Sequence, residues 1–264
     1  MNNEVLELVK KSAAVPSVPQ VVVRFLEITQ DPQFNYQQLV DLLSTDPGMT
    51  GEILRLANSA LFGATRQITS IRQAMTLMGL RRVRSLVLGR YIVSTVSNVP
   101  TTIDIGYFWR RSLTTAVLSA KLAGEMLPRM QEEVFIASLL SDIGLVVLAD
   151  ALGDKYDPIA KQYAPGGAED IDALEIQLCG ATHAEVSALV LDHWQLPEVI
   201  TRAVSLHHAN PSENGDMDSA LATMTQIIGL CGRLAKHLCE NPDMDKAVAD
   251  SRRSAESLQI PADA

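Results

Sequence analysis

Val134-Phe135-Ile136-Ala137-Ser138-Leu139-Leu140-Ser141-Asp142-Ile143-Gly144-Leu145-Val146-Val147-Leu148-Ala149 is the stretch on which the reading of this chain turns. It is apolar almost throughout, and residues 132 to about 151 read as helical. Asp142 interrupts the run, which is too short to span a bilayer, where about 20 apolar residues are needed. An ionised carboxylate in such surroundings must be paired, because burying it alone is very costly. A metal, an arginine or a helix N-terminus would do this, and so would a helix break at Ser141-Asp142-Ile143-Gly144 that Asp142 caps. A histidine before Asp142 would make two adjacent metal ligands. Ser141 leaves one, since a hydroxyl is a poor ligand for a transition metal.

Outward from this stretch the pattern stays helical. Asp46-Pro47 reads as N-cap and first helical residue, leading into Ile53, Leu54, Ala57 and Leu61. Ser17–Gln20, Ser70–Gln73 and Thr182–Glu185 have the spacing of capping boxes. Gly79 ends one helix before an arginine-rich one from about residue 81 to 93. This pair reads as a helical hairpin or, alternatively, as a helix-turn-helix. Further helices are expected over 108–126, up to Trp194 from Thr182, from Pro197 to about His208, and over 219–238. No segment alternates like a strand. The expected class is all-α. Residues 94–104, polar and containing Pro100, mark the boundary between an N-terminal helical lobe (1–100) and a C-terminal lobe (101–250), with a peripheral tail at 251–264. The groove between the lobes is the expected place for a ligand.

Composition agrees. In 264 residues, 47% are apolar and only 5% aromatic, which suits helices packed with Leu, Val, Ile, Ala and Met better than a β-sandwich. Cys179, Cys231 and Cys239 form no CxxC pair, and reduced thiols in a cytoplasmic protein are expected. The start, MNNEVLELVKK, has no signal-peptide core, and no membrane association is expected. The net charge of −9 is uneven. Arg55, Arg66, Arg72, Arg81, Arg82, Arg84 and Arg90, set against Glu52 alone, give residues 51–90 a charge of +6. That basic block is either a set of solvated helix faces or a phosphate-binding surface, with Arg81, Arg82 and Arg84 as its candidates.

Four of the five histidines fall between 183 and 208. His183 shares a helix face with Val186, Ser187 and Val190, and His207 shares one with Ile200, Ala203 and Val204, so both point inward. His208 lies about 100° around from His207. His193, near a helix C-terminus, reads as structural or surface.

Several of these segments together resemble the HDOD domain, the HD-related output domain of bacterial signalling proteins. They are Asp46-Pro47, Leu54-Arg55-Leu56-Ala57-Asn58-Ser59-Ala60, Ile68-Thr69-Ser70-Ile71-Arg72-Gln73-Ala74, Leu80-Arg81-Arg82-Val83-Arg84, Phe108-Trp109-Arg110-Arg111-Ser112, Leu139 to Gly144, His183-Ala184-Glu185-Val186, Trp194, Leu196-Pro197 and His207-His208. The likeness runs from about Val15 to Leu238. It implies an HD-domain-like helical bundle related to HD and HD-GYP metal-dependent phosphohydrolases.

Against that pattern, HD enzymes carry a histidine where Arg111 stands, a histidine where Ser141 stands and an aspartate near Gly232. Of the core ligands only Asp142 is kept, while His183, His207 and His208 match additional histidines of the HD-GYP type. The resemblance therefore implies a catalytically inactive signal-transduction module that acts by binding a signalling partner, and no cofactor. Arg111 is expected to reach the old metal position and pair with Asp142. Two alternatives stay open. One is a residual phosphodiesterase site in which Asp142, His183, His207 and His208 hold a single iron, zinc or nickel ion. The other is a nucleotide, cyclic-dinucleotide or nucleic-acid binder working through the Arg55–Arg90 block. Nucleic acid is the least expected of these partners.

Overall fold

In the computed structural model, five helices begin at a side chain that seals their first turn, which is where sequence most directly dictates local structure. Asn35 Oδ1 accepts from Gln37 N at 2.8 Å and opens a helix at Tyr36–Ser44. Asp46 Oδ1 accepts from Met49 N at 2.9 Å and opens Pro47–Ala57. Ser70 opens Ile71–Met78 and Asp104 opens Ile105–Met126. Thr182 opens His183–His193 with a full capping box, Glu185 answering back to Thr182 N at 3.0 Å. The box expected at Ser70–Gln73 is shifted by one residue, since Gln73 Oε1 returns to Thr69 N. The structure describes residues 3–12, 24–25, 27–29, 33–58, 66–80, 83–84, 86–87, 89–91, 99, 101–167, 171–194, 196–209 and 218–240. The Ser17–Gln20 box, the 94–98 part of the proposed linker and the 251–264 tail lie outside them. Among the described residues there is no strand.

The helices are α1 (Asn3–Lys11), α2 (Tyr36–Ser44), α3 (Pro47–Ala57), α4 (Ile71–Met78), α5 (Ile105–Met126), α6 (Gln131–Leu140), α7 (Ile143–Leu152), α8 (Asp157–Ala160), α9 (Asp172–Cys179), α10 (His183–His193), α11 (Glu198–Ser205) and α12 (Ser219–Glu240). They fall into two units, Ser17–Thr95 and Met1–Pro16 together with Val96–Ala264. This corrects the expected 1–100 lobe, because its first residues belong with the C-terminal unit. The cause is the face of α1. Val5 and Val9, one turn apart, are buried where α1 packs on α7, and Ser12 Oγ donates to Asp150 Oδ2 at 2.7 Å.

In the smaller unit α2, α3 and α4 pack on one another through Leu39, Leu43, Met49, Ile53, Ala57, Ile71, Ala74, Met75 and Met78. Gly79 ends α4 at φ +83°, a conformation that a side chain would strain. Beyond it, residues 83–84, 86–87 and 89–91 are helical, with Val83 and Val87 buried.

In the larger unit α5 lies against α6 and α12, α10 against α7 and α11, and α11 against α6 and α12. The apolar stretch forms α6 and α7, with the break at Ser141-Asp142. Ile143 to Ala149 are all buried, as expected of a helix that is apolar all round. Gln131–Lys155 is long and apolar enough to cross a membrane by composition, yet its apolar window is 78% buried, as in a core helix. Two glycines permit close backbone approaches beside the candidate histidines. A Cβ on Gly144 would stand 2.1 Å from His183 O, and one on Gly229 would stand 2.5 Å from His207 O. Both glycines therefore let a core helix touch the backbone of a candidate site histidine.

Candidate functional site

Asp142 stands in the bend between α6 and α7, with φ −99° and ψ 6°, and is buried. Breaking a helix exposes a carbonyl and an amide that need partners. One hydroxyl on α10 serves both: Ser187 Oγ donates to Ser141 O at 2.7 Å and accepts from Gly144 N at 2.8 Å. The bend is thus tied to the helix that carries His183. Ser141 Oγ lies 3.1 Å from Ser138 O and 3.1 Å from Asp142 Oδ1, so its hydroxyl faces two acceptors and buttresses the turn.

The three candidate histidines come together with Asp142. His183 is the first residue of α10, and its Nδ1 lies 2.8 Å from Glu175 Oε2 on α9. His207 and His208 follow α11. The Nδ1 of His207 lies 2.7 Å from Val204 O, and the Nδ1 of His208 lies 3.0 Å from Asp172 Oδ1. The ring centroids are 5.7 Å (His183–His207), 4.9 Å (His183–His208) and 4.1 Å (His207–His208) apart. One ring nitrogen from each lies within 4.8 Å of the others. Asp142 Oδ1 is 3.4 Å from His207 Nε2 and 3.9 Å from His183 Nε2. His193, as the sequence suggested, is exposed.

Four residues of this cluster were missed in the sequence. Glu175 is fully buried: Oε2 accepts from His183 N at 2.7 Å, and Oε1 accepts a short hydrogen bond from the Tyr156 hydroxyl. Asp172 holds His208. Tyr163 donates its hydroxyl to Asp142 Oδ2 at 3.2 Å. The signal that could have found Glu175 is its position on the inward face of α9, on the same face as the buried Cys179 one turn later.

Burial opposes the charge of Asp142, but the Arg111 guanidinium and His183 hold its carboxyl well below the usual range, while His207, whose Nδ1 faces Val204 O, donates no hydrogen bond to it. Burial pushes His207 down and the neighbouring His208 pushes it further, so the ring is neutral near pH 7. Burial also opposes charge on His183, yet Glu175 and then Asp142 raise it. Burial raises the Tyr163 and Tyr156 hydroxyls well above their ordinary value, with Asp142 and Glu175 respectively adding to the effect, so both remain donors.

Arg111 does not form the direct ion pair with Asp142 that the sequence suggested. Its Cζ sits 4.7 Å from the Tyr163 ring centre, and no hydrogen-bond partner reaches its buried Nε. The aromatic face carries the guanidinium, and the same residue's hydroxyl carries the carboxylate. Burial works against the Arg111 charge, but Tyr163 and Asp142 keep it protonated. Gly232, on α12, contributes no side chain, and a Cβ there would meet nothing within 4 Å.

The residues present fit one divalent ion. The buried His207 Nε2 has no hydrogen-bond partner. Because Nδ1 faces a carbonyl, Nε2 of the neutral ring carries a lone pair, and it faces an ionised oxygen. Two facing acceptors need a proton or a cation between them. Their 3.4 Å separation is close to the edge, about 3.3 Å, of a tetrahedron with bonds of about 2.0–2.1 Å.

The arginine block lies in the other unit. Arg81 and Arg82 are outside the described residues, and Arg84 is part-buried. Arg55, Arg66 and Arg72 are exposed, and Glu52 pairs with Arg90 at 2.7 Å.

The HDOD domain profile matches residues 15–210. The chain belongs to the HDOD domain family. A relative from Treponema pallidum, described as an uncharacterized protein, is 24% identical over 220 residues, 80% of this chain. The chain spans 41% of that relative's length. Among solved structures, an HDOD domain protein of unknown function from Geobacter sulfurreducens has a TM-score of 0.72 at 23% identity, covering 94% of this chain and 87% of its own. A protein from Shewanella amazonensis, provisionally named a phosphohydrolase, has a TM-score of 0.74 at 23% identity, covering 97% and 88%. One from Marinobacter aquaeolei, provisionally named a signal transduction protein, has a TM-score of 0.66 at 17% identity, covering 96% and 62%. These likenesses establish the HDOD helical fold.

Proposed function

We propose that this HDOD protein is a cytoplasmic signal-transduction module that works by binding a partner and not by hydrolysis. The observation that carries this reading is Arg111 on the Tyr163 ring, beside Asp142, where an HD enzyme would have a ligand. A hydrolytic metal must hold and acidify a water between well-placed ligands. Here the hydroxyl of Ser141 is engaged in the turn, Gly232 offers no ligand, and a fixed guanidinium adds positive charge beside the site. The partner is a signalling protein, with a nucleotide or cyclic dinucleotide as the alternative ligand.

The test is turnover of cyclic dinucleotides and of bis(p-nitrophenyl) phosphate by the full chain with iron, manganese, zinc or nickel. No rate above the metal blank is expected. Turnover that Asp142→Ala abolishes would overturn the reading.

A second reading is favoured by the unpartnered Nε2 of His207. On it, Asp142, His183, His207 and His208 hold one iron, zinc or nickel ion without hydrolysis. A bound ion would supply a fixed positive charge joining α7, α10 and the turn after α11.

A further inference from the structure

We infer that Glu175 is the positioning residue of a three-histidine metal centre. With Asp172 and the Val204 carbonyl, it holds the Nδ1 protons of His183, His208 and His207, so that all three Nε2 atoms are free to bind one divalent transition-metal ion. This deepens the second reading above and does not depend on whether the site hydrolyses anything.

Three different acceptors meet the same ring atom. Val204 O can only accept, so the 2.7 Å contact fixes a proton on Nδ1 of His207. Glu175 Oε2 already accepts the backbone amide of His183, which can only donate, so the 2.8 Å contact from the same oxygen to Nδ1 makes that atom a donor too. Asp172 Oδ1, 3.0 Å from Nδ1 of His208, completes the set. A neutral imidazole with its proton on Nδ1 presents a lone pair at Nε2, which is the form that binds metal. Two of these Nε2 atoms face Asp142 Oδ1, at 3.4 and 3.9 Å.

The acceptors are themselves held. Tyr156 donates to Glu175 Oε1, so the second oxygen cannot swing toward the ring. Glu175 has no exposure to water, and its carboxylate oxygens meet His183 and Tyr156. A carboxylate or carbonyl behind a ligating histidine fixes its tautomer and orientation, and losing such a group lowers metal affinity by about 10–100-fold. Imidazole donors select zinc, nickel or iron over magnesium or calcium.

The experiment is 15N NMR of histidine-labelled full chain, first with chelator and then titrated with zinc or nickel, with metal affinity measured by calorimetry. Without metal, on the alkaline side of the His183 titration, all three rings are expected as Nδ1–H tautomers. Metal should shift the Nε2 resonances of all three. Glu175→Gln should weaken binding about 10–100-fold and disturb the tautomer of His183 while leaving that of His207 intact. An Nε2–H tautomer at His183 or His207 in the unaltered protein would overturn the proposal, and so would no binding at all, or Glu175→Gln binding with unchanged affinity. If Glu175→Gln does not fold, the tautomers of the unaltered chain still decide. Hydrolysis, if found, would defeat the binding-module reading and leave this one standing.

Discussion

The Tyr163 hydroxyl donates to Asp142 Oδ2 at 3.2 Å while the Tyr163 ring carries the Arg111 guanidinium at 4.7 Å. One residue therefore joins the two charges that the sequence suggested would meet directly. Hydrogen bonds to charged groups contribute about 1.5–3 kcal/mol. Tyr163→Phe keeps the ring and should lower unfolding stability by about that amount in urea titrations. Tyr163→Leu also removes the surface under Arg111 and should cost more. Equal stabilities of Tyr163→Phe and the unaltered protein would show that the hydroxyl contact contributes little.

Asp142 gives the site a pH dependence of known sign. Its carboxyl is held well below the ordinary carboxylate value, so the folded state binds that proton more weakly than the unfolded chain does. Stability from this group is fully present above the unfolded value, about 3.9, and is lost as pH falls toward and through the folded value. Asp142→Asn should flatten the acid limb of a stability-versus-pH curve. An acid limb identical to that of the unaltered protein would assign acid sensitivity to other carboxylates.

Gly144 and Gly229 should not tolerate alanine. Their added Cβ atoms would stand 2.1 and 2.5 Å from the carbonyls of His183 and His207, so α7 would have to move from α10, and α12 from the turn after α11. Overpacking of this kind costs about 1–3 kcal/mol. Thermal unfolding should show the loss for both variants, and much less for Gly51→Ala, where a Cβ meets nothing within 4 Å.

A Cβ at Gly232 would meet nothing within 4 Å, so an aspartate fits there. Arg111→His, Ser141→His and Gly232→Asp together restore the residue types that HD enzymes carry at these positions. The triple variant should bind manganese or iron more tightly than the unaltered chain, measurable by metal analysis after dialysis. Gly232→Asp alone, with Arg111 retained, should gain little, since the guanidinium remains beside the site.

The helical class, the capped starts at Asp46, Ser70 and Thr182, and the inward direction of His183 and His207 were legible in the sequence. Each depends on local rules: a cap acts over three residues, and a helix face repeats every 3.6. The break at Ser141-Asp142 was foreseen only as one of several ways to accommodate a buried carboxylate. The partner that stabilises it, Ser187, lies on another helix and carries no local signal.

By itself, the sequence determined the helical class and several helix starts and inward faces, because chain-neighbour physics suffices for these. Only the tertiary structure decided that Arg111 rests on Tyr163, that α1 packs with the C-terminal unit and that Glu175 stands behind His183. Those contacts join residues 8 to more than 100 positions apart, and their energy exists only once packing has removed water from between them.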